Sequence, residues 1–486
     1  MIDLTVHAEV LERTVERARQ RNITIPTFAQ MIDPALVPAS VAERLTGVGL
    51  WDLDPLNLWR ITWHNEPRLG GGGFGPVNYV EFPPELTGVD ARILGLVGKW
   101  FPTGAHKVGA AFGCLVPRLV TGQFDPTTQK SVWPSTGNYC RGGAYDAHIL
   151  ACDSVAILPE EMSQERFDWL AQVAGEVIKT PGSESNVKEI FDKCWELRRS
   201  GEDVVIFNQF DEFGNYLWHY AVTGPAIQEV LDAAMGPDDH YAGLVSSTGS
   251  GGTIASGDWL KQRHPTSVVA AAEALQCPTL LMNGFGAHRI EGIGDKHVPW
   301  IHNVRNTDMV LAIDDEASMS LLRLFNEPEG HDYLARAGVD TEVIEALPLL
   351  GISSIANVVA SAKLARYYEL GSSDVVVTIL TDSVEMYDSR VAELREERGP
   401  LTEVDAAVAH HRWMLGASLD HLAELGHYDR KRIHNLKYYT WIEQQARDVE
   451  ELDAQWHDPG YWPAVQGLVP GIDRLIDEFN DAVGLL

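Results

Sequence analysis

The sequence predicts an α/β fold with parallel-type sheets covered by helices, followed by a C-terminal helical extension. Short apolar runs that are typical of buried strands alternate with helical patterns through the middle of the chain. Such alternation favours parallel sheets packed between helices. The 486 residues, 45% of them hydrophobic, provide enough apolar surface for two or three lobes.

The chain begins with a charged helical stretch at residues 8–21, followed by loops that contain proline up to about residue 60. Four consecutive glycines at 70–73 then predict a loop or a close backbone approach. Beyond them the apolar runs and helical patterns can be assigned one by one. Buried strands are predicted at 92–97, 154–158, 204–207 and 374–380, and helices at 163–177 and 224–234.

The chain changes character after Pro400, where helical patterns replace the strands. Thr402 and Asp405 have the spacing of a capping box, which marks the start of a helix. Helical stretches continue to about Asp453, and an aromatic loop at 456–462 precedes a last amphipathic helix. We expect this tail to pack on the core or on a second subunit.

Composition narrows the class of protein. The formal net charge of −31 argues against partners such as nucleic acid or anionic lipid. The five cysteines are scattered, which argues against a disulfide framework or a zinc site. No run approaches the ~18 apolar residues of a membrane helix, and no secretory signal is apparent at the N-terminus. We therefore expect a cytoplasmic protein with no bound metal.

Lys107 has small, uncharged neighbours, apart from His106, throughout the stretch 102–111. An amine is nucleophilic only when deprotonated, so a reactive lysine needs a pocket that disfavours its ammonium form. Most lysines are instead solvated at the surface. Lys99 and Lys296 are rival candidates, but neither leads into an asparagine-containing turn as Lys107 does.

A small polar turn follows this lysine by about thirty residues. Its short hydroxyls and backbone N–H groups are suited to form a nest for a carboxylate. An ordinary turn that contains asparagine is the common alternative. The members of the turn are Ser135, Thr136, Gly137 and Asn138, with Tyr139 directly after them.

A glycine loop lies between an apolar run at 243–245 and a second run at 254–257. Glycines allow backbone N–H groups to converge on a phosphate. A nucleotide-binding loop is the rival interpretation, but no Lys-Ser or Lys-Thr pair follows and the GxGxxG spacing is absent. The loop consists of Gly249, Ser250, Gly251, Gly252 and Thr253.

The order of lysine, asparagine turn and glycine loop resembles the fold-type II enzymes that use pyridoxal 5'-phosphate (PLP). The resemblance covers roughly residues 60–395 and is nearest to the cysteine synthase group. It extends to Gln209-Phe210 with a downstream run at 219–227, and to the segments 291–294 and 351–354. The resemblance implies PLP as the cofactor, joined to Lys107 as a Schiff base.

The resemblance also implies the roles of the neighbouring residues. Asn138 would lie beside the phenolic oxygen of the cofactor, and residues 249–253 would surround its phosphate. His106 would contribute to the phosphate site, because the Gly-Ala-His-Lys setting is similar to that of the tryptophan synthase β subunit. Ser383 would face the pyridine nitrogen, although a shift of one residue would bring Asp382 there instead. A neutral hydroxyl at this position favours chemistry at the β-carbon.

The same resemblance implies a set of substrate contacts. The asparagine turn and Gln209 would bind the carboxylate of an amino acid, and Gly292 would line the mouth of the site. Tyr139 departs from the cysteine synthase pattern, in which a smaller hydroxyl residue is usual. The expected substrate-binding residues are Ser135, Thr136, Gly137, Tyr139, Gln209 and Gly292.

Two domains with flanking extensions are implied as well. We expect a larger cofactor-binding domain from residues 61–106 and 213–399, and a smaller substrate-loop domain from 107–212. Residues 1–60 would be an N-terminal extension and residues 400–486 a helical appendage. By resemblance, the assembly would be a homodimer.

The leading functional hypothesis is β-elimination or β-replacement on a small L-amino acid through an aminoacrylate intermediate, as in cysteine synthase or cysteine desulfhydrase. A hydroxyamino-acid dehydratase, or another fold-type II ammonia-lyase, is the alternative among enzymes. A catalytically idle regulatory or binding protein on the same fold is the alternative of another class, since fold does not fix function.

Overall fold

A computed structural model describes residues 1–135, 137–182, 186–294 and 296–486. Its strands form two sheets, one of seven strands and one of four. They are β1 (Tyr79–Phe82), β2 (Arg92–Val97), β3 (Lys130–Pro134), β4 (Asp153–Pro159), β5 (Glu176–Thr180), β6 (Val204–Ile206), β7 (His240–Ser247), β8 (Val268–Ala274), β9 (Met309–Ile313), β10 (Asp374–Leu380) and β11 (Leu422–Glu424).

The large sheet has the order β1-β2-β10-β7-β8-β9-β11, and the small sheet has the order β5-β4-β3-β6. The small sheet is parallel throughout. The large sheet is parallel from β2 to β9 and carries an antiparallel strand at each edge, β1 and β11. The predicted α/β class with parallel sheets is confirmed.

Helices pack on both sheets, as α16 does on β10, β7 and β9. No helix in the described ranges is long and apolar enough to cross a membrane. The helices are α1 (Ala8–Gln20), α2 (Phe28–Ile32), α3 (Ala39–Leu45), α4 (Pro84–Thr87), α5 (Lys107–Thr121), α6 (Asn138–Ile149), α7 (Gln164–Val173), α8 (Val187–Ser200), α9 (Phe213–Trp218), α10 (Gly224–Ala234), α11 (Ala255–Lys261), α12 (Thr279–Met282), α13 (Asp315–Asn326), α14 (Pro328–Arg336), α15 (Thr341–Ala346), α16 (Ile352–Tyr367), α17 (Asp388–Arg398), α18 (Glu403–His410), α19 (His427–Lys437), α20 (Val449–His457), α21 (Tyr461–Gln466) and α22 (Val469–Val483).

One predicted helix is shorter than its pattern indicated. The prediction spanned residues 163–177, but α7 ends at Val173 and β5 begins at Glu176. Gly175 separates the two elements, and β5 pairs in parallel with β4. The β-branched residues of β5 fit a pleated surface, and pairing with a neighbouring strand decides their conformation.

The tail after Pro400 is helical, and it packs on the core of its own chain. Lys437 is fully buried, and its Nζ donates to the carbonyl oxygens of Trp300 (2.9 Å) and His302 (2.7 Å). Trp441 Nε1 donates to the carbonyl oxygen of Val298 at 2.8 Å. The capping box of Thr402 is present at the start of α18.

Two features of the tail differ from the prediction. The stretch 456–462, expected as an aromatic loop, is largely helical, since α20 continues to His457 and α21 begins at Tyr461. The tail also supplies β11, whose three residues pair antiparallel with β9. Both differences arise from packing against the core, which periodicity alone does not encode.

The N-terminal segment is held by the last helix. Ile25 donates its N–H to Asn480 Oδ1 at 3.0 Å and accepts from Asn480 Nδ2 at 2.7 Å. The Asp473 carboxylate accepts the backbone N–H groups of Phe28 (2.7 Å) and Ala29 (3.1 Å). Residues near the two ends of the chain therefore lie side by side.

A buried carboxyl group in α6 predicts a pH-dependent stability. Asp146 is fully buried, and neither of its carboxyl oxygens has a hydrogen-bond partner among the described residues. Burial raises its pKa well above the ordinary value of 3.8. A group whose folded-state pKa is raised contributes stability below its unfolded pKa, and loses that contribution as the pH rises toward the folded pKa.

The change Asp146→Asn is therefore expected to stabilise the fold at pH 8 by at least about 1 kcal/mol, the equivalent of one pKa unit. The gain should shrink toward pH 4. Urea unfolding at both pH values measures it. Asp238→Asn, which makes the same charge change at an exposed position, is the control. An equal gain at both pH values would contradict the prediction.

Candidate active site

The topology brings the predicted site residues to one edge of the large sheet. Strands β2, β10 and β7 are parallel neighbours, so their carboxyl ends meet at the same edge. In open parallel sheets, ligands bind at this edge. Lys107 follows β2, Asp382 and Ser383 follow β10, and the glycine loop follows β7.

Lys107 is the first residue of α5 and is partly buried. The chain reaches it through Thr103 and Gly104, which have φ of 72° and 75° and turn the backbone sharply. Lys107 Nζ donates to Ser250 Oγ at 2.9 Å. The structure therefore joins the predicted lysine to the predicted glycine loop, 143 residues away along the chain.

His106 lies fully buried beside this lysine. Burial, and then the charge of Lys107, lower its pKa to about 3, so the imidazole is neutral. Its ring packs edge-on against His219, with centroids 5.1 Å apart. Neither ring nitrogen of His106 has a hydrogen-bond partner within the described residues. A neutral imidazole carries one donor and one acceptor, and both remain available here.

The glycine loop owes its shape to close packing. Gly251 has a φ of 71°, which favours glycine. A Cβ on Gly252 would overlap the side-chain oxygen of Asn215. Asn215 Nδ2 donates to Ser250 Oγ and to the carbonyl oxygen of Gln209, both at 2.9 Å. Thr253 is buried at the end of the loop.

Sequence reasoning missed Asn215. The only signal was its position six residues after Gln209, between two segments already singled out. Its importance depends on a contact with the glycine loop, 35 residues further along the chain.

The asparagine turn and Gln209 come together at the end of the small sheet, after β3 and β6. Gln209 Nε2 donates to Ser135 Oγ at 3.0 Å, and the N–H of Gly137 donates to the same oxygen at 3.2 Å. Thr136, predicted as a substrate contact, lies outside the described residues. The ring of Tyr139 is buried against Trp133, with centroids 5.5 Å apart, and its contact with substrate stays a prediction.

Asn138 is linked to the residue beside Ser383. Its Nδ2 donates to Asp382 Oδ2 at 2.6 Å, and Tyr387 OH donates to the same oxygen at 2.7 Å. Burial raises the pKa of Asp382, and the charge of Arg166 opposes this shift. Ser383 is fully buried, and its Oγ has no partner within the described ranges. Asp382 Oδ1 also has no partner among the described residues, so the placement of Ser383 at the pyridine nitrogen stays a prediction.

A buried arginine that the sequence analysis did not identify completes this side of the site. Arg166, from α7, pairs with Glu291 and donates through Nη2 to Tyr387 OH at 2.9 Å. Arg390 Nε donates to the other oxygen of Glu291 at 2.7 Å. Nothing in the helical pattern of 163–177 distinguished Arg166 from a solvated arginine, because its partners lie more than a hundred residues away.

Gly292, predicted to line the mouth of the site, lies close to Ser353 and to the glycine loop. Its φ is 96°, and a Cβ built on it would be 3.6 Å from Ser353 Oγ. A Cβ on Gly249 would be 3.1 Å from the carbonyl oxygen of Gly292. The segment therefore packs directly against the glycine loop.

The residues present fit the cofactor that the resemblance implies. The side chains around Lys107 and the glycine loop include buried polar atoms with no partner in the described part of the chain. A group with a phosphate, a phenolic oxygen and a ring nitrogen would use such atoms. They are the ring nitrogens of His106, Asn138 Oδ1, Ser353 Oγ and Ser383 Oγ.

Comparison with known proteins agrees with this fit. The chain is 30% identical over 289 residues to a cysteine synthase of Staphylococcus aureus (strain Mu50 / ATCC 700699), covering 59% of this chain and 84% of the relative. It is 25% identical over 313 residues to cystathionine beta-synthase of Saccharomyces cerevisiae, covering 63% of this chain and 58% of that relative.

Solved structures share the fold. A hydrogen sulfide-producing enzyme from Fusobacterium nucleatum matches with a TM-score of 0.55 at 20% identity, covering 71% of this chain and 95% of that one. O-acetyl serine sulfhydrylase isoform 3 from Entamoeba histolytica matches with the same TM-score and identity, covering 68% and 92%.

The family model described as "Pyridoxal-phosphate dependent enzyme" matches residues 100–382, which is more than half of the chain. The match begins shortly before Lys107 and includes both the asparagine turn and the glycine loop. The chain belongs to the family of pyridoxal-phosphate dependent enzymes.

Proposed function

We propose that this PLP-dependent enzyme acts at the β-carbon of a small L-amino acid, by β-elimination or β-replacement like that of cysteine synthase or cysteine desulfhydrase. The observation that carries the proposal is the contact of Lys107 Nζ with Ser250 Oγ at 2.9 Å. This contact supports Lys107 as the amine beside the glycine loop. The cysteine synthase relatives support the same chemistry.

When bound, PLP supplies an electron sink for the negative charge that develops at the substrate α-carbon. The chain's own contribution begins with Lys107. Its Nζ would hold the cofactor in the resting enzyme and would accept the α-proton of the substrate as a general base. The position of Lys107 beside Ser250 keeps this amine next to the cofactor throughout.

The other residues bind and orient the cofactor and the substrate. Residues 249–253 direct backbone N–H groups at the phosphate, and neutral His106 adds a hydrogen bond there. Ser135, Thr136, Gly137 and Gln209 bind the substrate carboxylate, and Gly292 and Tyr139 border the substrate. Asn138 donates to the phenolic oxygen, and the uncharged hydroxyl of Ser383 faces the ring nitrogen.

The same proposal includes the division of the chain into domains and its assembly. Residues 61–106 and 213–399 form the cofactor-binding domain, and 107–212 the domain that carries the asparagine turn. Residues 1–60 and 400–486 are extensions that pack around them. We further propose a homodimer, as the resemblance implies, and a location in the cytoplasm, as the scattered cysteines favour.

The test is the visible absorption spectrum of the purified protein with PLP, recorded before and after addition of O-acetyl-L-serine. We expect a yellow protein whose band shifts on addition, followed by product formation that depends on sulfide or another thiol. A shift with release of pyruvate and no need for an acceptor would indicate elimination.

Two outcomes would contradict the proposal. A response to L-serine or L-threonine alone would indicate a hydroxyamino-acid dehydratase. A colourless protein after supplementation with PLP would indicate a catalytically idle member of the fold.

A further inference from the structure

Asn138 is tied to the opposite lobe of the molecule. It is the last residue of the asparagine turn, next to the small sheet, and the first residue of α6. Asp382 instead follows β10 of the large sheet. The 2.6 Å hydrogen bond from Asn138 Nδ2 to Asp382 Oδ2 joins two side chains that are 6% and 0% exposed. A hydrogen bond to a carboxylate is strong, and it is stronger still away from water.

The carboxyl group of Asp382 is itself held in place. Tyr387 OH donates to Oδ2 at 2.7 Å, and Arg166 Nη2 lies 4.0 Å from the same oxygen. Arg166, which is 0% exposed, supplies the countercharge that a buried carboxylate requires. Its second partner, Glu291, is shared with Arg390, so both buried acids have a basic neighbour.

The backbone of Gly351 packs closely against Asp382. The N–H of Gly351 donates to the Asp382 carbonyl oxygen at 2.9 Å, and a Cβ on Gly351 would overlap Asp382 Oδ1. On the other side, a Cβ on Gly137 would lie 2.7 Å from the guanidinium carbon of Arg166. The arginine therefore packs directly against the asparagine turn.

These contacts determine that the nitrogen of the Asn138 side-chain amide, rather than its oxygen, faces Asp382. An amide nitrogen carries two N–H groups, and Asp382 accepts only one of them. The reversed amide would place two oxygens 2.6 Å apart, which is repulsive. The nitrogen is thus held toward Asp382, and its second N–H has no acceptor among the described residues.

We propose that Asp382 is a positioning residue of the active site, which orients the amide of Asn138 with the support of Tyr387 and Arg166. The proposal rests on the proposed function, in which Asn138 donates to the bound cofactor. Asp382 does not touch the reacting atoms. It acts by keeping one N–H of Asn138 directed at the cofactor pocket and by joining the two lobes around it.

The experiment is a double-mutant cycle between Asn138→Ala and Asp382→Asn in the PLP-loaded enzyme. Asp382→Asn keeps the shape of the side chain but lets either end of the Asn138 amide face it. We expect kcat to fall about 10- to 100-fold with less than about a threefold change in KM, as a misoriented catalytic contact costs on this scale. The double variant should be no slower than Asn138→Ala alone, because the two residues act as one unit.

Visible circular dichroism of the bound cofactor gives a readout besides activity. It depends on how the chromophore is held, so Asp382→Asn should change its sign or intensity in the resting enzyme. Asp146→Asn is the matched control, since it makes the same substitution at another fully buried aspartate. It should leave both kcat and the dichroism unchanged.

A second variant keeps the inference testable if Asp382→Asn does not fold. Tyr387→Phe removes one donor to the same oxygen, and we expect a smaller effect that again disappears in the Asn138→Ala background. Multiplicative losses in either cycle, or an equal effect of Asp146→Asn, would overturn the positioning role. A wild-type protein that stays colourless after supplementation with PLP would instead refute the proposed function, and the two failures are distinguishable.

Discussion

Replacing Lys107 with alanine is expected to lower kcat by at least about 10³-fold, because it removes both the anchor of the cofactor and the base that accepts the α-proton. The backbone at this position is the first turn of α5, where alanine is well tolerated. The fold should therefore remain, and PLP should bind without a covalent link. Borohydride reduction of the wild-type enzyme followed by peptide mass analysis should place the pyridoxyl group on Lys107.

Lys99→Ala is the matched control. Lys99 precedes the same helix, but its side chain pairs with Glu385. We expect the control to keep its visible band and its activity within about threefold. A pyridoxyl label on Lys99 or Lys296, or a Lys107→Ala enzyme with normal turnover, would remove the assignment of Lys107.

The second large effect is expected from Gly252→Ala. A Cβ at this position would overlap Asn215 Oδ1, and Asn215 cannot move freely because it donates to Ser250 and to the Gln209 carbonyl. Overpacking of this kind costs about 1–3 kcal/mol. If the backbone of the glycine loop shifts to make room for the new Cβ, its N–H groups no longer converge on the phosphate. The affinity for PLP should then fall about 100-fold or more. Titration of the apoenzyme with PLP, followed by absorbance, measures the change.

Gly70→Ala separates this effect from a general intolerance to alanine. Gly70 has open space around its Cβ position and no positive φ, so we expect stability and PLP affinity close to those of the wild type. An unchanged dissociation constant in Gly252→Ala would show that the loop does not hold the phosphate.

The parts of the fold that the sequence predicted well are those in which local pattern and tertiary packing agree. Strands β2 and β10 have the predicted bounds because strands buried on both faces are continuous apolar runs, and helix α10 has the predicted bounds as well. The prediction was wrong at 174–177, where pairing with β4 makes a strand of residues that also fit a helical pattern. The pairing is a property of the neighbouring strand and leaves no signal in the segment itself.

The residues of the candidate site likewise fall into those that the sequence predicted and those that it could not predict. The order of motifs predicted that Lys107 and the glycine loop belong together, and their side chains are in contact. Arg166 and Asn215 could not be predicted, because each acquires its role from a partner in another element. The bond between Asn138 and Asp382 spans 244 residues of sequence. Sequence reasoning placed both residues near the cofactor but had no means of pairing them with each other.

The hydrogen bonds between Ile25 and Asn480 have a consequence for biosynthesis. Asn480 is translated 455 residues after Ile25. Until then, water forms the hydrogen bonds of the Ile25 N–H and C=O groups. Closing the long loop between Ile25 and Asn480 is a late event in folding. The two hydrogen bonds that join Ile25 to Asn480 therefore form only after the last helix has been translated.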